Sequence, residues 1–168
     1  MITKSAAMTT TTSPRKELAV VPWQDQDWQK LWLATQEQDR PWRTLALVPA
    51  GPGFSNEVML QLAVTLAHTG MTHLGGAIHV ADGTRVRLAD LVDFSAEVAR
   101  CTEHDDRVLI ALCAPTDNVT SVSIAQAADT ALLCVLRGEM KTSHTKRTVE
   151  EIGASHFIGS ALFHRPRA

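Results

Sequence analysis

Apolar residues in this chain follow two alternating patterns. Short runs that are apolar at nearly every position are separated by longer stretches in which apolar residues recur every three or four positions. Runs of strand length suit strands buried on both faces, and the three-to-four spacing suits helices with one buried stripe. The runs predict strands at residues 44–49, 107–113 and 131–136, with weaker ones at 74–80, where Gly75-Gly76 interrupts, and at 156–162. Helices are predicted over 22–38, from about 56 to a stop at Gly70, over 88–103 as one helix or two, over 119–128, and over 142–152 with Gly153 closing. Residues 81–84 read as a turn.

Strands that are apolar throughout and alternate with amphipathic helices predict an α/β fold: a mostly parallel sheet with helices on both faces. Ligands of such sheets bind beyond the carboxyl ends of the strands, which directs attention to the loops after Val48 and Cys113. The organisation expected is a disordered leader at 1–20, a Trp-rich helix at 21–42 and the α/β domain at 43–165. All four tryptophans fall in the first quarter of the chain. Trp28 and Trp32, four apart with Leu31 alongside, share one helix face. That face either packs on its own domain or forms a docking surface for a partner.

Composition narrows the function. The chain has 168 residues and a formal charge of -2, with acids and bases mixed, which gives no footprint for nucleic acid or anionic lipid. No apolar run approaches the ~20 residues of a membrane span. No signal-peptide core follows Met1, so a cytoplasmic location is expected. Cys101, Cys113 and Cys134 form no CxxC pair, and the seven histidines show no HxxxH spacing, so no metal site is expected. Asp105-Asp106 reads as a turn into a strand, and Arg137, Lys141, His144, Lys146 and Arg147 as a solvated helix face. Ser55 lacks the second glycine of a nucleophile elbow and reads as a helix cap.

The loop after the first strand, Ala50-Gly51-Pro52-Gly53-Phe54-Ser55-Asn56, carries the candidate chemistry. A strand, a Gly-rich turn and a helix place backbone N–H groups and a helix dipole where a phosphate can sit. A working P-loop adds a lysine for the β- and γ-phosphates and a hydroxyl for magnesium.

In order and spacing, the chain resembles the bacterial tyrosine kinases of exopolysaccharide and capsule synthesis, which belong with the ParA/MinD-like P-loop ATPases. Residues 45–53 resemble their first strand and loop, and Gln61-Leu62-Ala63, Leu66-Ala67 and Gly70 resemble the helix that follows. Residues 106–110 resemble the strand leading to the Walker B aspartate. Ala128-Asp129 with the strand through Leu136, Arg137 and Gly138, then Thr142 and Ile158-Gly159, resemble the later segments. Trp28, Leu31 and Trp32 resemble the aromatic helix before the first strand. The likeness spans residues 28–163 and implies the P-loop NTPase-like three-layer sandwich.

The departures from the family pattern bear on function. No lysine occurs between Lys30 and Lys141, and Glu57 stands where phosphate oxygens would come. The Walker B position falls on Ala111 or Leu112, the second family aspartate, expected after the strand at 74–80, is unmatched with Gly75, Gly76 and Ala77 nearby, and the chain contains no tyrosine. The resemblance therefore implies a pseudo-ATPase that acts as an accessory or regulatory protein through protein contacts. Its implied partner is an inner-membrane polysaccharide co-polymerase or a synthase subunit, with homo-oligomers also implied. Gly51 to Asn56 is the candidate anion-binding loop, and no cofactor is expected beyond weak ATP or ADP. The alternatives are a nucleotide sensor that does not hydrolyse, or an enzyme of unrelated chemistry in the pocket beyond Val48 and Cys113.

Overall fold

The computed structural model describes residues 22–37 and 39–165, so the expected leader lies outside the described residues. Five strands, β1 (Thr44–Pro49), β2 (Ile78–Asp82), β3 (Arg107–Ala111), β4 (Thr130–Leu136) and β5 (Phe157–Phe163), form one sheet in the order β2-β3-β1-β4-β5. All four pairings are parallel. Among the described residues five α-helices accompany them: α1 (Gln26–Gln36), α2 (Asn56–Leu74), α3 (Leu91–Thr102), α4 (Thr120–Ala127) and α5 (Thr142–Ile152). Single 3-10 turns precede α3 and β5, at Leu88–Asp90 and Ala154–His156. The expected α/β architecture is the observed one.

Side-chain alternation on the central strand sorts the helices between two layers. Leu45 and Leu47 of β1 face a core shared with α1 and α2, where Trp28, Trp32, Leu62 and Leu66 pack. Ala46 and Val48 face a second core with Phe94 and Val98 of α3, Ile124 of α4 and Ile152 of α5. The step from β1 to β2 runs toward one sheet edge and the later steps run back. Right-handed crossovers therefore place α2 on one face and α3, α4 and α5 on the other. The direction of winding reverses at β1, so the loop after it opens into a crevice.

The tryptophan helix belongs to the domain core. Trp28 is 5% exposed and Trp32 1% exposed. Trp32 meets Trp42 edge to face at 5.8 Å, and the Trp42 indole N–H donates to the Thr35 carbonyl at 3.0 Å. Rings buried to this degree are unavailable to a partner, which corrects the docking reading of Trp28, Leu31 and Trp32; Leu31 packs against the same core.

The predicted end of α2 was also wrong. The helix continues past Gly70 to Leu74, and Gly75 closes it in the left-handed conformation, φ 66°. Gly70 is needed for space: a Cβ there would lie 2.5 Å from both Trp32 Cη2 and Ile78 Cδ1. Gly75-Gly76 thus precedes β2, whose strand starts at Ile78. The amino end of the sheet is fastened by Asp129, whose carboxylate accepts the Arg43 and Thr44 N–H groups at 2.7 and 2.9 Å. The Thr44 hydroxyl in turn accepts the Asp129 N–H at 2.8 Å.

Candidate functional site

The loop from Ala50 to Ser55 leaves the carboxyl end of β1, between β3 and β4. Its first residue extends the sheet, since the Ala50 N–H donates to the Cys134 carbonyl at 2.8 Å. The Ala50 carbonyl accepts the buried Thr148 hydroxyl of α5 at 3.1 Å. Gly51 is buried against the same helix, and a Cβ there would come within 3.0 Å of His144 Cβ. Pro52 and Gly53 are exposed, and Gly53 has φ 130°, which disfavours any side chain. Phe54 turns inward and meets Phe163 edge to face at 5.8 Å, and Trp28 meets Phe163 at a tilt, 6.1 Å between ring centres.

Ser55 is the N-cap of α2 and accepts the Val58 N–H at 3.2 Å, as read from the sequence. Asn56 opens the helix, and Glu57 forms an exposed ion pair with Arg85 at 2.9 Å. Residues 51–56 therefore stand together at the carboxyl end of the sheet, where this fold class holds ligands. Two features set them apart from a phosphate cradle. No lysine of the loop or of α2 is present to supply charge. The loop is also bound to the body of the protein at three points, through Thr148, His144 and Phe54.

The other expected phosphate-handling positions are apolar or elsewhere. Ala111 ends β3 and Leu112 follows it, both fully buried, one in each core. Gly75, Gly76 and Ala77 lie before β2, at the opposite end of the sheet from the loop. β2 does end on an acid at the carboxyl side, Asp82, which the turn reading had passed over. One oxygen of Asp82 accepts both the Thr84 N–H at 3.0 Å and the Thr84 hydroxyl at 2.6 Å. Asp82 stands two residues past the predicted end of the strand, so an acid does follow it, which corrects the reading that none is matched there. Among the described residues no group of three or more metal-ligating side chains is present.

Beside the loop, Asn56, Thr84, Leu88, Cys113, Asn118 and Val119 line an open cleft of about 490 Å³. Several of its polar groups are occupied locally. The Asn118 side chain donates to the Val86 carbonyl and accepts the Thr120 N–H, and Cys113 Sγ lies 3.4 Å from Ser121 Oγ. The Asp90 carboxylate holds the Arg87 guanidinium above its usual pKa, by hydrogen bond and by charge. No base and nucleophile are brought together in the cleft. The basic cluster is largely a solvated face, with Lys146 bridged to Glu150 and Arg147 to Glu151. His144 is the exception, through its contact with Gly51.

No protein-family model matches the chain, and no curated protein matches its sequence. Among solved structures it is similar to a "BceF Tyrosine Kinase Domain". The TM-score is 0.51 at 14% identity, over 83% of this chain and 74% of that one. The likeness confirms the fold: the parallel α/β sandwich is shared with a tyrosine kinase domain. No helix among the described residues is long and apolar enough to cross a membrane.

Proposed function

We propose that this chain is a non-catalytic relative of the exopolysaccharide tyrosine-kinase domains, a pseudo-ATPase. In this reading it serves bacterial polysaccharide biosynthesis or secretion as an accessory or regulatory protein, through protein contacts. It works in the cytoplasm and is recruited to the inner membrane by its partner, a polysaccharide co-polymerase or synthase subunit. One observation carries the reading: the loop at the ligand end of a kinase-type fold has no lysine and is packed against α5 and Phe163. Removing a single contact to a transition-state charge typically costs a hundred- to a thousandfold in rate, about 3–4 kcal/mol. Phosphoryl transfer relies on such contacts almost entirely. Losing the lysine and the Walker B acid together therefore leaves no route to turnover, even with Asp82 retained. The test is ATP hydrolysis by the purified chain with magnesium. The expected rate equals that of buffer; a rate above it that Gly53→Val or Asn56→Ala abolishes would overturn the reading.

A second reading, a nucleotide sensor without hydrolysis, is supported by the N-terminus of the 19-residue helix α2 beside the loop. Calorimetric binding of ADP without magnesium distinguishes it from the first.

A further inference from the structure

The three most exposed large apolar side chains among the described residues gather at the carboxyl end of the sheet. Leu88 is 72% exposed, Val92 78% and Val119 73%, and no other large apolar residue exceeds 55%. Leu88 and Val119 line the cleft beside the loop. Val92 follows Leu88 by four residues, one turn further along the helical run that opens α3, so the two share a face. Val119 also lines a second open cleft, of about 470 Å³, with Pro115, Val122 and the Arg147–Glu151 pair. The two clefts thus adjoin at Val119 as one open groove. A single exposed apolar residue is ordinary on a protein surface, whereas a group of them along a groove marks a contact surface.

The charges around the groove are one-sided. Each arginine there already holds a carboxylate: Arg85 with Glu57 at 2.9 Å, Arg87 with Asp90 at 2.8 Å and Arg147 with Glu151 at 2.7 Å. Three further carboxylates face no cation among the described residues. Asp117 lines the cleft and is exposed, and Asp93 is exposed next to Val92. Asp82 is bonded to the N–H and hydroxyl of Thr84, which are neutral. Arg137, Lys141 and His144 line neither cleft. An anionic occupant would have to displace carboxylates from the arginines, whereas a cationic one meets acids that nothing neutralises. The groove is open along its length, which suits a chain lying across it better than a small molecule sealed inside.

We propose that this groove docks a segment of a partner protein in which lysine or arginine stands among aliphatic residues. The aliphatic side chains cover Leu88, Val92 and Val119, and the cation lies against Asp117, within the field of Asp93. This surface rests on the functional reading above only in taking the chain to act through protein contacts; ATP turnover tests that reading separately.

The test is titration of the full 168-residue chain with a short blocked peptide of alternating leucine and lysine, followed through backbone amide NMR shifts. The shifts should fall on Leu88, Val92, Asp117 and Val119. A twin peptide with glutamate in place of lysine should bind about threefold more weakly or worse. Asp93→Asn with Asp117→Asn should weaken the lysine peptide by about three- to tenfold and narrow its lead over the twin. Leu88→Ser with Val119→Ser should weaken both peptides by about tenfold or more. All four side chains are exposed, so the urea midpoint should stay where it is in both variants. Absence of shifts up to millimolar peptide overturns the proposal, as do shifts confined to other surfaces. A glutamate peptide that binds as well as the lysine one overturns it too, and so does a lysine peptide indifferent to either pair of substitutions. Shifts at the same residues on concentrating the chain without peptide would assign the groove to a second copy instead.

Discussion

At the scale of single residues, Gly51 shows how a ligand-like signature arises from packing. Its glycine is accounted for by His144 Cβ, 3.0 Å from where a side chain would begin. Gly51→Ala should lower stability by roughly 1–3 kcal/mol, as overpacking does, read from the urea midpoint. Thr148→Val should cost about 1–3 kcal/mol by stranding the Ala50 carbonyl, and Thr148→Ser should restore most of it. Neither contact was legible in the sequence, because Thr148 and Ala50 are 98 residues apart. The missing lysine was legible, since an absence over the whole span needs no register. Cys134 gives a pH-dependent prediction. Full burial pushes its thiol up to about 12. The unfolded thiol titrates near ~8.5, so the folded state holds its proton over a range where the unfolded state releases it. That stability is fully present below about pH 8.5 and is lost as pH rises toward the folded value. Cys134→Val should flatten this alkaline loss, and thiol reagents should label Cys134 only after unfolding.

At the scale of elements, the strongest sequence signals were the apolar runs. β1 and α5 begin and end where they were predicted, and β4 differs by one residue. The errors fall where one residue type serves two purposes. Gly70 was read as a helix stop, but it is the gap into which the Trp32 ring fits. The strand after it was accordingly placed at 74 instead of Ile78, and Asp82, the last residue of β2, was read as part of a turn. Gly70→Ala should gain nothing from better helix propensity, which is worth about 1 kcal/mol, and should lose more to overpacking. The loss should shrink in a Trp32→Phe background, which removes the nearest ring atoms, and denaturation of the double-mutant cycle reads the coupling directly. Periodicity placed Trp28 and Trp32 on one helix face but left open whether that face looked inward. The structure resolves it, because α1 fills the same core as α2.

At the scale of the whole molecule, alternating strands and helices gave the sheet, and the reversal of winding at β1 gives the crevice. The sequence could not show how the loop in that crevice is held. The loop is held by contacts to α5, to Phe163 and through it to Trp28, and none of these contacts needs a ligand. The fold is shared with a tyrosine kinase domain, whereas no lysine stands between Lys30 and Lys141 to serve the loop. Asp129 contributes at the far end of the sheet. Asp129→Ala should weaken the start of β1 by about 1–3 kcal/mol in thermal denaturation without altering the crevice. The most direct test of the central claim is calorimetric titration of the purified chain with ATP and ADP, with and without magnesium. The account predicts no magnesium-dependent heat with either nucleotide. Micromolar binding of ATP that requires magnesium would contradict it, because it would mean that the metal and phosphate site survives without its lysine.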